Sequence, residues 1–152
     1  MLHALATKTL MGRLDTGLTG ITNGGTCATT KFDTLGYDYA SIDVHLSTSD
    51  DATNKPSVFK LRDCDTTVTS SFADVSGFVG GTDWTVPSMI TAISNGDNII
   101  CFDVDLRGRK RYLLLAISPV TTQEICYNIR LSRAEQSPVT TTQAGVLAMV
   151  RG

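Results

Sequence analysis

Few residues of this chain have types and spacings that could do chemistry. Asp43 and His45 stand two positions apart. In an extended segment such positions share a face, so the pair has the make-up of a general base and its orienting carboxylate. No activated nucleophile accompanies them in a recognisable pattern. Asp50, Asp51, Asp63 and Asp65 carry oxygens suited to calcium. Their spacing lacks the EF-hand pattern, and aspartates in such surroundings serve as turn formers. The four cysteines, Cys27, Cys64, Cys101 and Cys126, include no C-x-x-C pair, and only His3 and His45 are available to join them. That set fits no zinc pattern. P-loop, dinucleotide and nucleophile-elbow signatures are absent. The expectation is a chain without catalysis, metal or cofactor.

Two further groups invite a binding reading. Arg107, Arg109, Lys110 and Arg111 form the densest charge in the chain. They suit bidentate grips on the carboxylates of a neighbouring subunit. They equally suit a solvated hairpin tip facing Asp103 and Asp105. Phe72, Phe78 and Trp84, the only tryptophan, punctuate a Gly-rich stretch. They read either as an aromatic platform for a sugar or as anchors pinning a long loop to the core.

The elements that would position these residues follow a period of two. Ile100, Phe102, Val104 and Leu106 fall on one face of a strand, with Cys101, Asp103, Asp105 and Arg107 on the other. Gly108 supplies the positive φ of a hairpin turn, and the apolar run after Lys110 suits a central strand covered on both sides. Ile42, Val44 and Leu46 alternate with Ser41, Asp43, His45 and Ser47, and Ile125, Tyr127, Ile129 and Leu131 with Cys126, Asn128, Arg130 and Ser132. Shorter strands are expected over 26–32 and 57–62. The stretch 66–83 reads as a long packed loop. Residues 88–93 read as a short apolar segment, and 145–150 as an edge strand or arm.

Composition agrees. The chain has 152 residues and a net charge of -2, with a pI near 5.5, which argues against a general nucleic-acid binder. Acids are nearly all Asp, and Thr and Gly are abundant, favouring strands and turns over helices. No run approaches the roughly 18 apolar residues of a membrane helix. The first residues are too quickly polar for a secretory signal, so synthesis and use without export, and free thiols, are expected. Short strands with turns between them predict an all-β, single-domain antiparallel β-sandwich with jelly-roll topology over 23–152. Residues 1–22 precede it as an extended arm or a frayed terminus.

The run Phe102–Leu113, the segment Leu131–Pro138 and the segment Ser71–Phe78 resemble small structural proteins of tailed bacteriophages and prophages, among them capsid cement (decoration) proteins. The likeness runs from Tyr37 onward. It implies a β-rich, non-enzymatic virion protein, made in the host cytoplasm, that sits on the capsid surface. Its implied partners are the major capsid protein and itself, as a homotrimer, with no membrane or nucleic acid. Two other roles fit the same features: a carbohydrate-binding module of a phage tail or adhesin, and a head–tail connector.

Overall fold

The computed structural model describes residues 8–13, 28–46, 55–87, 99–119 and 124–134. They form eight strands: β1 (Lys8–Arg13), β2 (Ala28–Asp33), β3 (Tyr37–Leu46), β4 (Val58–Cys64), β5 (Ala73–Val79), β6 (Ile99–Asp105), β7 (Tyr112–Ser118) and β8 (Ile125–Ala134). One 3-10 turn, Thr69–Ser71, precedes β5. The predicted segments at 88–93 and 145–150 lie outside the described residues.

The strands build two four-stranded sheets, ordered β1-β8-β3-β6 and β2-β7-β4-β5. The named strands all pair antiparallel, and each pairs with its counterpart counted from the other end: β1 with β8, β2 with β7, β3 with β6, β4 with β5. One long ribbon has been folded on itself and wound into two layers. That is the jelly roll the alternating segments predict. The 1–22 segment contributes β1, hydrogen-bonded along β8 from Lys8↔Leu131 to Arg13↔Cys126.

The inner faces supply the core. Ile42 and Val44 from β3, Ile125, Ile129 and Leu131 from β8, and Phe102 and Val104 from β6 meet Phe59 and Leu61 from β4 and Leu113, Leu115 and Ile117 from β7. Most of these side chains are wholly buried, each contributing about 1.5–3 kcal/mol relative to exposure. β7 is covered on both sides, as its unbroken apolar run predicts. Leu114 and Ala116 point outward yet are buried beneath Phe72 and Cys64. The chain between β4 and β5 lies over that outer face, held where the Arg62 guanidinium donates to the Phe72 carbonyl and Lys31 Nζ donates to the Thr67 carbonyl at 2.9 Å.

The stretch 66–83, read from the sequence as loop, holds a strand. β5 lacks a clean alternation because its register against β4 shifts between Lys60 and Arg62. Asp83 supports the irregular stretch, its Oδ2 accepting from the amides of Gly77 and Val79 at 2.8 and 3.0 Å. Gly80 then turns the chain inward and donates its amide to the Phe59 carbonyl at 2.9 Å. A Cβ there would stand 2.5 Å from Val86 Cγ2 and 2.7 Å from that carbonyl oxygen. One neighbour is backbone and cannot swing away. Gly80→Ala is therefore expected to destabilise the fold by about 1–3 kcal/mol through overpacking. Thermal unfolding followed by circular dichroism reads this as a Tm lower by about 3–10 °C; an unchanged Tm contradicts the close approach.

Candidate functional site

The outer face of the first sheet collects the wet sides of the alternating strands. Cross-strand register sets Ser41 between Asp103 and Arg130, Asp43 between Cys101 and Asn128, and His45 between Ile99 and Cys126. Asp43 is thus engaged by a group that its sequence position does not reveal: the Cys101 thiol donates to its Oδ1 at 3.0 Å. That hydrogen bond to the carboxylate, with burial and the charge of Asp103 adding to it, holds the thiol above its ordinary pKa. Cys101 is exposed yet poorly disposed to ionise. Cys101 and Cys126 lie on strands separated by β3, about 9.5 Å apart at the usual strand spacing, beyond disulfide reach. Both are free, as is the buried Cys64. Among the described residues no three His, Cys, Asp or Glu side chains gather as a metal site.

The basic cluster falls on the turn between β6 and β7. Gly108 has φ +83°, and the Arg109 amide closes the turn on the Leu106 carbonyl at 3.0 Å. Of the four cations two are braces. Arg107 forms a two-point ion pair with Asp105, at 2.9 and 2.7 Å, and its guanidinium lies 5.2 Å from the Tyr39 ring centre. Arg111 does the same with Asp33, at 3.0 and 2.7 Å, and stacks on Tyr112 at 4.9 Å. The sequence placed Asp103 and Asp105 opposite the cluster; the structure pairs Asp105 with Arg107 and adds the distant Asp33, paired with Arg111. Arg109 and Lys110 at the tip are exposed and make no ion pair with a described residue.

Neighbouring turns pack against this tip. The Thr34 amide and hydroxyl both donate to the Arg111 carbonyl, at 3.0 and 2.6 Å. Asp65 accepts from the Arg111 amide at 3.4 Å. Arg133, whose φ is +55°, lies 5.6 Å from the Tyr39 ring centre and 3.6 Å from Asp38. Tyr39 is therefore flanked by two guanidiniums. Tyr39 lies two residues before Ser41 on the same face of β3, and nothing in its local sequence announces these partners.

The three aromatic residues are not one platform. Phe72 caps the outer face of the second sheet. Phe78 and Trp84 belong to the inter-sheet core. Trp84 meets Phe59 and Phe102 edge to face at 5.5 and 5.6 Å, and Phe78 meets Phe102 at 6.0 Å. Together they close the flank between the β5 and β6 edges. A cleft of about 700 Å³ lies beside Trp84, lined among others by Lys55, Pro56 and Gly80–Val86. The indole Nε1 is buried without a partner among the described residues.

No protein-family model matches the chain, and no curated protein matches it. Among solved structures it is similar to the crystal structure of SPBc2 prophage-derived protein YomS, a distant structural neighbour. The two share 13% sequence identity at a TM-score of 0.42, over 83% of this chain and 95% of that one.

Two predictions come from these side chains. The Asp105 carboxyl is held down at about 2 by the hydrogen bonds from the Arg107 side chain and amide. Asp33 is likewise lowered, first by its hydrogen bond from Arg111. Both are depressed in the fold, so the stability they lend is complete above the ordinary carboxylate range. It is lost as pH falls through the folded values, because the unfolded chain takes up protons first. Melting measured from pH 5 down to pH 2 should show a smaller loss of Tm in a doubly substituted Asp33→Asn, Asp105→Asn protein than in the wild type. An equal loss contradicts the pairing. Secondly, Asp43→Asn should speed modification of Cys101 by a disulfide reagent near pH 8, read residue by residue by mass spectrometry; an unchanged or slower rate contradicts the Asp43–Cys101 bond.

Proposed function

We propose that this chain is a non-enzymatic structural protein of a phage virion. In this reading it is a capsid cement protein, made in the host cytoplasm, that binds the outside of the capsid lattice as a homotrimer and stabilises the shell. The observation that carries the reading is the braced cationic tip. Arg109 and Lys110 project from a tight turn whose flanking arginines are already locked to Asp105 and Asp33. Such a tip presents its cations from an already ordered turn, which spares the backbone part of the entropic cost of binding and favours a grip on an acidic surface of a neighbouring subunit. A jelly roll presented as a rigid knob suits the same role. Binding the assembled lattice and not its free subunit stabilises the shell by mass action.

Co-sedimentation with empty shells built from the major capsid protein of the same genome tests this. Saturable binding at hundreds of copies per shell is expected, and tens of copies would indicate a connector instead. Arg109→Ala with Lys110→Ala should weaken it about tenfold or more, corresponding to about 1.4 kcal/mol. Absence of binding by the wild-type chain overturns the proposal. Deleting residues 1–22 is a poor test, because it would strip β1 from the sheet and bare the edge of β8.

A further inference from the structure

The basic tip caps the end of the sandwich where β7 begins. The cleft beside Trp84 opens at the end where β7 finishes, seven residues and about 20 Å further on. Its walls come from the chain entering β4 and the chain leaving β5. The Ser57 amide, bonded to the Ser118 carbonyl at 2.9 Å, and the Gly80 amide, bonded to the Phe59 carbonyl at 2.9 Å, fix both walls to the sheet. The volume of about 700 Å³ falls within the roughly 300–1,000 Å³ of small-ligand sites.

The lining is amphipathic. Pro56 and Val86 are buried and Trp84 is half-buried, and together they give the cleft an apolar side. Ser57, Thr82, Asp83 and Thr85 are exposed and give it a polar one. Asp83 is held in place because its Oδ2 accepts from the amides of Gly77 and Val79. Its Oδ1 makes no hydrogen bond with a described residue, so a fixed acceptor is available. Lys55, also exposed, adds a donor without an ion pair to a described residue. One cation and one anion cancel, so the lining does not favour a phosphate or another polyanion. It matches an uncharged ligand that is apolar on one face and edged with hydroxyls, which both donate and accept. A pyranose ring is built in that way.

We infer that the cleft between Lys55–Ser57 and Gly80–Val86 binds a short neutral saccharide, whose hydroxyls meet Asp83, Thr82 and Thr85 and whose apolar face lies towards Trp84. The cleft does not rest on the capsid reading. Where that reading holds, the tip meets the lattice and this opposite end faces outward, towards cell-surface polysaccharide.

Trp84 is the only tryptophan, so fluorescence of the full chain reports on the cleft directly. It is titrated with two sets of neutral di- and trisaccharides, one released from bacterial cell-surface polysaccharides and one from storage polysaccharides. A saturable change of intensity is expected with the first set. Thr82→Ala with Thr85→Ala should weaken that binding about tenfold through the loss of two hydrogen bonds, with an unchanged circular-dichroism spectrum. Lys55→Ala, on the other wall, should also weaken it and serves as the variant if the double substitution does not fold. Silence towards both sets, or binding indifferent to these substitutions, overturns the inference. A response to the storage set alone supports the cleft and overturns its outward role on a particle. Shell binding reads the capsid proposal separately: a chain that binds shells and no saccharide sinks the cleft alone, and one that binds saccharide and no shells sinks the capsid role alone.

Discussion

Two polar-faced sheets stay together only through what their inner faces exclude from water. Everything else here depends on that exclusion being complete, including at the two open flanks of the sandwich. Aromatic residues close both. On one flank Phe59, Phe78, Trp84 and Phe102 interlock edge to face between the β5 and β6 edges. On the other Tyr127 lies across β1 at Gly12 and reaches the opposite sheet, its hydroxyl 3.1 Å from Thr30 Oγ1. Edge-to-face rings add about 0.5–1.5 kcal/mol per pair beyond their buried area. Of the aromatic residues that read as a binding platform, Phe78 and Trp84 therefore serve to seal the layers, while Phe72 covers the outer face of the second sheet.

Once the core is closed, the outward side chains are free to hold the turns. The end carrying the β6–β7 turn is cross-linked by Asp33–Arg111, Asp105–Arg107 and Asp38–Arg133, and by the Thr34 and Asp65 contacts to the Arg111 backbone. These bonds join β2, β3, β6, β8 and the chain after β4. The base of the cationic tip is consequently tied to the neighbouring turns.

How much of this was legible in the sequence follows from how local each signal is. β3, β6, β7 and β8 announce themselves because their inward residues alternate strictly or run unbroken, and a one-residue slip would turn the core side out. β1 was hidden because its inward set includes Gly12, the place where Tyr127 crosses. β5 was hidden because a register shift and its Asp83-supported bend break the period. The basic cluster was visible as a run of like charge. Its consequences were not, since Arg111 finds Asp33 across 78 residues of chain and Tyr39 receives guanidiniums from the β6–β7 turn and from β8. Pairings of that separation are decided by topology, and composition carries no trace of them.

The braces contribute more to position than to stability. Arg107 and Asp105 are 60% and 49% exposed, and ion pairs this wet add little to stability. A fold closed by a core of wholly buried side chains has little need of them. Their effect is on the geometry and electrostatics of the tip. Each aligns a guanidinium against an aromatic ring, and each neutralises a charge that would otherwise compete with Arg109 and Lys110 for a partner. The result is a turn whose flanks are electrically quiet and whose apex is not. A partner carboxylate meeting that apex displaces no internal ion pair. The attraction can therefore go into the contact itself, which is the condition under which an exposed cation on a rigid sheet becomes a selective grip.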